Sequence, residues 1–188
     1  MRPKYKVIYA DAPWAYRNKR TGGSMGSGSE QKYNTMEIDD IRSLLVSSVA
    51  GKDSVLFLWA TTPMLPDALS VLSSWGFTYK TSLYWRKIMS LGMGFWYRGQ
   101  VEQLLLGVRG QVKAFRIQKP NFIQTKVRNH SQKPAEMREL VDACNLEPKL
   151  ELFATEKIDS WDCVGNAING EDIRVSLARI IAEQGGEG

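Results

Sequence analysis

The chain alternates short apolar runs with amphipathic stretches. Apolar runs that end in turn signals predict buried strands over residues 7–10, 54–59, 77–85, 102–108 and 149–154. Apolar positions at helical spacing predict helices over 35–49, 62–76, 133–144 and 172–183. Strands that alternate with helices in this way predict a doubly wound α/β domain with a largely parallel sheet.

The predicted helices carry end signals. Thr35 is a candidate N-cap for the first helix, the Thr62-Pro63 pair opens the second, and Gly76 ends it. The apolar stripe expected on the first helix consists of Ile38, Ile41, Leu44, Leu45 and Val49.

Two connecting segments are expected to be loops, and a third is a basic stretch. Residues 17–34 have a Gly- and Ser-rich centre at 22–29 and are expected to be flexible. Their position after the first strand favours a mobile substrate loop, with a surface excursion as the alternative. Residues 86–100 are rich in Met, Gly and aromatic residues, and 109–128 are strongly basic.

Length and composition narrow the class of protein. The 188 residues are expected to form a single domain, without an apolar run long enough to span a membrane. The N-terminus does not resemble a signal peptide, so we expect a cytoplasmic protein. Cys144 and Cys163 are far apart, which excludes a cysteine metal motif and fits a reducing compartment. His130 is the sole histidine, which argues against a zinc site built on histidines.

The positive charge is concentrated in the middle of the chain. Residues 80–133 hold eleven basic side chains and one acidic side chain, Glu102, so this segment carries +10 and the remainder −5 of the net +5. An ordinary solvated surface mixes both signs. The asymmetry therefore predicts a substrate-facing surface for a polyanion such as nucleic acid.

One short stretch, residues 7–14, combines an apolar strand with an acid, a proline and a tryptophan. In open α/β sheets, ligands bind beyond the carboxyl ends of strands. Asp11 is expected at that edge, where it could hold the amino group of a planar base, and Trp14 could offer a flat face. The alternative is an acid that caps a turn beside a core tryptophan, and this stretch alone leaves both readings open.

A series of motifs resembles the MT-A70 family in the family's order. They include Asp11-Ala12-Pro13-Trp14, where the family has Asp-Pro-Pro-Trp, and His130-Ser131-Gln132-Lys133-Pro134. Further matching stretches lie at 33–36, 56–59, 72–77, 83–87, 101–110, 150–154 and 161–166. Besides Ala12, two positions depart from the family pattern: Thr155 stands where an arginine is common, and Val164 where a tryptophan is common.

The resemblance implies a Rossmann-like methyltransferase fold, permuted so that the catalytic motif precedes the cofactor motif. It implies methyl transfer from S-adenosylmethionine to the exocyclic amine of adenine. The catalytic residues it implies are Asp11, Ala12, Pro13 and Trp14. The implied cofactor-binding residues are Asp11, Pro13, Lys133, Leu152, Phe153, Thr155, Asn166 and Ala167. The substrate-binding candidates are Tyr16, Tyr33, Trp85, Arg86, Lys87, Trp96, Arg98 and Glu102.

The same resemblance suggests individual roles. Asp11 and the carbonyl of residue 12 would accept the two amine N–H groups, and Trp14 would stack on the base. Lys133 would pair with the cofactor carboxylate and Asn166 with its adenine, while Leu152 and Phe153 form an apolar wall. Trp85, Trp96, Tyr97 and Arg98 would hold the base and its flanks from loops, with core packing as the alternative. His130 is expected to be structural or to contact phosphate.

We expect a DNA adenine methyltransferase from a phage or prophage, acting in the cytoplasm of a bacterial host. One alternative is an RNA adenine methyltransferase. The other is a catalytically silent nucleic-acid-binding relative, because Ala12 replaces a family proline. The sequence leaves open a monomer or a homodimer.

Overall fold

The structure is a computed structural model that describes residues 1–15, 35–88, 96–127 and 132–185. The expected mobile loop with Tyr16 and Tyr33, and also His130, lie outside the described residues. The strands are β1 (Tyr5–Ala10), β2 (Ala50–Thr61), β3 (Thr78–Ile88), β4 (Val101–Arg109), β5 (Phe122–Lys126), β6 (Lys149–Leu152) and β7 (Asp162–Val164). The α-helices are α1 (Ile38–Arg42), α2 (Val46–Val49), α3 (Leu65–Ser74), α4 (Ala135–Asp142), α5 (Asn166–Asn169) and α6 (Ile173–Glu183), and a 3₁₀ turn over Thr62–Met64 leads into α3.

The strands form one seven-stranded sheet in the order β5-β3-β4-β2-β1-β6-β7. β1 is parallel to β2 and β6, β6 is parallel to β7, and β3 is parallel to β5. Among these strands only β4 is reversed, antiparallel to both β2 and β3. The predicted α/β class with a mostly parallel sheet is confirmed.

Both faces of the sheet are covered, which explains why β1 and β2 are almost continuously apolar. On one face, Ile8, Leu56 and Leu58 pack in a core shared with α1, α3 and α6. On the other face, residues of the same two strands pack against α4 and the segment that follows β4. Because successive strand residues point to opposite faces, these strands contribute to both cores at once.

The prediction of one continuous helix over 35–49 is wrong. The structure has two short helices, and Leu45 between them is 58% exposed although it was expected on the apolar stripe. The break lets Leu44, Val46 and Val49 all reach the core, which one regular helix could not achieve for neighbours so close in sequence. Glu37 rather than Thr35 occupies the N-cap position of α1.

The expected loop at 86–100 and the basic stretch at 109–128 each contain strand residues. β3 continues to Ile88, so Trp85, Arg86 and Lys87 belong to a strand and not to a loop. β5 lies inside the basic stretch and pairs with β3. Its apolar run is only two residues long, which is too short to predict a strand, and β7 and α5 are themselves too short to predict. Within the described ranges, no helix is long and apolar enough to cross a membrane.

Candidate active site

The candidate site lies along one edge of the sheet, where parallel strands end. Ala10 is level with Leu58 of β2 and Leu152 of β6, so Asp11 follows β1 between two neighbouring strands. Glu102 is the second residue of the reversed strand β4 and is level with both Thr61 and Trp85. An antiparallel strand brings its first residues to the edge where its neighbours end. Asp11 and Glu102 therefore reach the same edge.

Four charged side chains of alternating sign form a row at this edge, and we call them the charge row. Lys133 Nζ lies 2.8 Å from Asp11 Oδ2 and 3.3 Å from Glu102 Oε2. Lys87 Nζ contacts the other oxygen, Oε1, of Glu102. The Glu102 side chain is the least accessible of the four at 13%, and Asp11 is the most accessible at 32%. The charge row thus leaves Asp11 reachable from solvent while its neighbours are packed.

Two tryptophan rings lie under the lysines of the charge row. Lys133 Nζ is 5.2 Å from the ring centroid of Trp59, and Lys87 Nζ is 5.0 Å from that of Trp85. The two rings meet edge to face with centroids 6.2 Å apart. Their N–H groups bond to Tyr9 Oη at 2.6 Å and to Thr125 Oγ1 at 2.8 Å, respectively. These bonds fix the rings, and cations favour such positions over aromatic faces.

Burial and neighbouring charges shift the pKa values of Asp11, Glu102 and Lys133. Burial raises the pKa of Asp11 above its usual range, and Lys133 offsets this only in part. Burial also acts to raise the pKa of Glu102, but Lys133 and Lys87 together hold that pKa below its ordinary value. Burial opposes the charged form of Lys133, yet Asp11 and Glu102 outweigh it, so the pKa of Lys133 is raised. The alternating charges thus oppose the effect of burial at Asp11, Glu102 and Lys133.

The turn after β1 is held by backbone bonds. The Trp14 N–H donates to the Ala12 carbonyl at 2.9 Å, and the Met36 N–H donates to the Pro13 carbonyl at 2.8 Å. The Ala12 carbonyl was the expected second acceptor for an amine; it already receives one bond, but an oxygen with two lone pairs can accept another. Ala12 fills a buried position without a proline ring.

The expected flat stacking face of Trp14 is not present in the described structure. The side chain is 6% exposed, its ring packs in the core, and its indole N–H donates to the Trp59 carbonyl at 3.2 Å. An indole with a large apolar area and a satisfied N–H is stable in this buried position. Trp14 therefore anchors the turn that carries Asp11.

The candidate cofactor residues after β6 and β7 lie together because the ends of these strands are close. The Ala154 N–H donates to the Val164 carbonyl at 3.0 Å, and Phe153 adopts a left-handed backbone with φ 59°. A Cβ at Gly165 would lie 2.7 Å from the Ala154 carbonyl oxygen, so the approach requires glycine. This closeness places Thr155, Asn166 and Ala167 at one exposed edge.

The structure contradicts the expectation that the Leu152 side chain forms part of an apolar wall for the cofactor. This side chain is fully buried in the core and presents no surface to a ligand. It lies within β6, whose residues are all buried, whereas Phe153 directly after the strand is partly exposed. An apolar contact at this edge therefore falls to Phe153.

The substrate-binding candidates separate into two groups. Trp85 is 2% exposed within β3, so the expectation that it holds a base from a loop is wrong, and it packs in the core instead. Arg86 is exposed and donates to Gln124 Oε1 at 3.1 Å. Trp96 at 94% exposure, together with Arg98, offers a free aromatic and cationic surface.

A second buried ion pair was missed from the sequence. Arg138 of α4 binds Glu151 of β6, with Nη2 to Oε1 at 3.0 Å and Nη1 to Oε2 at 2.8 Å. The guanidinium also lies 4.8 Å from the Tyr9 ring centroid. A glutamate inside an otherwise apolar strand was the available signal, because a buried acid needs a partner. The pair braces β6 behind the charge row.

The donors at this edge fit the chemistry of S-adenosylmethionine. An ammonium at Lys133 suits a carboxylate, the Thr155 hydroxyl suits a ribose diol, and the Asn166 amide suits an adenine edge. The latter two side chains are exposed beside the partly exposed Phe153, so polar and apolar contacts are both available. In the part of the chain that the structure describes, no group of three or more acidic, histidine or cysteine side chains could hold a metal ion.

Comparison with known proteins identifies relatives across nearly the whole chain. The MT-A70 family model matches residues 5–167. The chain is 30% identical over 192 residues to the Type II methyltransferase M.MunI of Mycoplasma sp, covering 93% of this chain and 82% of that protein. It is 29% identical over 176 residues to the N(6)-adenosine-methyltransferase MT-A70-like of Arabidopsis thaliana, covering 88% of this chain. That match covers 24% of the plant protein, so the chain spans about a quarter of its length.

Proposed function

The chain belongs to the MT-A70 family of adenine methyltransferases, as its motifs indicated, and from that premise we propose that it methylates adenine in DNA. The observation that carries the proposal is the position of Asp11. Its carboxylate is accessible at the end of β1, with the Ala12 carbonyl next in the chain and the Lys133 ammonium 2.8 Å away. An anionic acceptor and a neutral acceptor side by side suit an exocyclic amine with two N–H groups.

Asp11 supplies what the adenine amine lacks. The amine lone pair is delocalised into the ring, so the nitrogen is a poor nucleophile. Hydrogen bonds to Asp11 and to the Ala12 carbonyl favour a pyramidal nitrogen with a localised lone pair, and they orient it for attack. The nitrogen gains positive charge during transfer, which the fixed negative charge of Asp11 stabilises. Burial raises the pKa of Asp11, which makes it a better proton acceptor for the methylated amine.

The cofactor supplies an electrophilic methyl group on a sulfonium centre. Lys133 would bind its carboxylate, with Thr155, Asn166 and Phe153 at the ends of β6 and β7 for the nucleoside. Thr155 is a neutral replacement for a family arginine and can still donate one hydrogen bond to a ribose hydroxyl. Because β6 lies parallel to β1, the residues that follow β6 lie at the same edge of the sheet as Asp11.

DNA is the polymer we propose. The chain matches most of the length of a type II methyltransferase, against about a quarter of a plant N(6)-adenosine-methyltransferase. The basic middle segment suits the phosphates of either polymer, and exposed Trp96 suits stacking with an unpaired base. A base within a duplex is out of reach, so the chain would flip its target or act on single strands. RNA is the second candidate, favoured by the names of the plant relatives.

The test is methyl transfer from labelled S-adenosylmethionine to DNA and RNA of matched sequence, each single- and double-stranded. Asp11→Asn keeps the size of the side chain and removes its charge, so we expect transfer to fall by about 10²-fold or more. Asp39→Asn, in the exposed first turn of α1, is the matched control and should transfer at the wild-type rate.

Label in DNA that is lost in Asp11→Asn would support the proposal. Label in RNA alone would establish the second candidate. A folded wild-type protein that labels neither polymer would refute both and favour a silent nucleic-acid-binding relative.

A further inference from the structure

Glu102 is shared by two lysines that come from different elements. Lys87 lies near the end of β3 and pairs with Oε1, whereas Lys133 precedes α4 and lies 3.3 Å from Oε2. Ionising a carboxylate that is 13% exposed is costly without close positive charge. Each lysine therefore supplies part of what keeps Glu102 charged.

Lys133 is divided between two acids. Its ammonium lies 2.8 Å from Asp11 and 3.3 Å from Glu102, and an ammonium can donate to both at once. The division depends on how much negative charge each carboxylate presents. Lys87 neutralises part of the Glu102 charge, so its removal would draw Lys133 toward Glu102 and away from Asp11.

The rings of Trp59 and Trp85, which we call the aromatic floor, keep the two ammonium groups apart. Trp59 lies under Lys133 and Trp85 under Lys87, and the edge-to-face contact sets the spacing of the rings. Both rings are buried, with N–H groups bonded to the surrounding structure. The floor thus presets two cation positions on either side of Glu102.

We propose that Lys87 is a positioning residue for methyl transfer: by pairing with Glu102, it fixes how the Lys133 ammonium is shared between Glu102 and Asp11. The inference rests on the proposed function, in which Asp11 accepts the adenine amine. Lys87 acts through Glu102 in this role. Its positive charge affects Asp11 through the contacts of Glu102 with Lys133 and of Lys133 with Asp11.

The charged groups that face Glu102 are Lys87 from β3, Lys133 from the segment before α4 and Asp11 from the turn after β1. Burial acts to raise the pKa of Glu102, and the two lysines bring it below its ordinary value. Without Lys87 that pKa must rise. Protonation of Glu102 would then begin at a higher pH. The pKa of Asp11 would rise as well, because Lys87 and the Lys133 ammonium both act to lower it, and the acid limb of the rate profile would move upward.

The experiment compares Lys87→Met, Lys87→Arg and the control Lys52→Met. Methionine keeps an apolar stem over Trp85 and removes the charge, arginine restores the charge, and Lys52 is an exposed lysine of β2. Carbon-13 NMR titration follows the carboxyl groups of Glu102 and Asp11, and kcat and KM for DNA are measured across pH.

In Lys87→Met, we expect the titration midpoints of Glu102 and Asp11 to rise, and the acid limb of kcat to rise with them by about one pH unit. We expect kcat on that limb to fall about tenfold, as one unit requires, with KM for DNA within about twofold. Lys87→Arg should return kcat to within about threefold of the wild type. Lys52→Met should match the wild-type protein in every measurement.

An unchanged Glu102 titration in folded Lys87→Met would overturn the inference. So would a defect confined to KM for DNA, because that result identifies a phosphate contact. An equal defect in Lys52→Met would also overturn it, since the cause would then be net charge. If the wild-type protein transfers no methyl group while both titrations shift as expected in Lys87→Met, the proposed function fails and the charge coupling stands.

Discussion

Gly165 joins β7 to α5, and replacing it with alanine tests how the cofactor edge is built. An added Cβ would lie 2.7 Å from the carbonyl oxygen and 2.8 Å from the nitrogen of Ala154, and 3.0 Å from the carbonyl carbon of Phe153. All three atoms are backbone, so no side-chain rotation can relieve the overlap. The ends of β6 and β7 must move apart by several tenths of an ångström.

The expected cost follows from this geometry. Overpacking that forces backbone shifts costs about 1–3 kcal/mol, and reduced freedom of the unfolded chain returns about 0.4–1 kcal/mol in a Gly-to-Ala change. We therefore expect Gly165→Ala to lower the free energy of unfolding by about 1–2 kcal/mol. Because Asn166 follows directly, the affinity for S-adenosylhomocysteine should also fall, by about tenfold.

Gly170→Ala is the matched control. This glycine follows α5 with φ 71°, and a Cβ there would meet nothing within 4 Å. A left-handed alanine costs about 1–2 kcal/mol of conformational energy, so stability should fall to a similar extent while cofactor affinity is retained. Urea unfolding followed by tryptophan fluorescence gives the stability, and isothermal titration calorimetry with S-adenosylhomocysteine gives the affinity. Equal affinities for the two variants would refute the reasoning.

Three further changes probe the site and its support. Lys133→Met should weaken S-adenosylhomocysteine binding about tenfold or more by calorimetry, because a hydrogen bond to a charged group contributes roughly 1.5–3 kcal/mol; undiminished affinity would exclude Lys133 as the carboxylate partner. Leu152→Ala should cost about 2–5 kcal/mol in urea unfolding, because its side chain is fully buried; a cost below 1 kcal/mol would contradict that placement. The lowered pKa of Glu102 means that its ionisation stabilises the fold above its ordinary value of 4.5, and that this contribution is lost as pH falls through the lower folded value. Glu102→Gln should therefore flatten the fall in urea stability below about pH 4.5, and an unchanged acid dependence would count against the two ion pairs.

The sequence predicted the elements whose signal is local. The apolar runs marked β1 and β2 because strands buried on both faces are apolar at nearly every position. Shorter apolar runs marked β4 and β6. Asp11 was recognisable as an acid at the end of such a strand. The order of the motifs was sufficient to identify the family without any structure.

Elements with weak local signals were not predictable in this way. β5 has two apolar residues followed by three polar ones, and it forms because it pairs with β3 at the sheet edge. Trp85 and Trp14 looked like ligand-binding aromatics, yet their rings are buried. A tryptophan near a basic segment has the same local sequence whether it faces solvent or the core, so only packing decides between the two.

The charge row shows most clearly which features the sequence determines and which depend on the tertiary structure. Sequence alone determined that Lys87, Glu102 and Lys133 belong to recognisable motifs, because each motif is a short run of residues. Only the tertiary structure decided that they meet Asp11, since β4 runs antiparallel between β2 and β3 and so brings Glu102 to the edge where β1 ends. Strand direction and order are set by burial and pairing over the whole sheet, and the charge states of these residues follow from the contacts that the sheet creates.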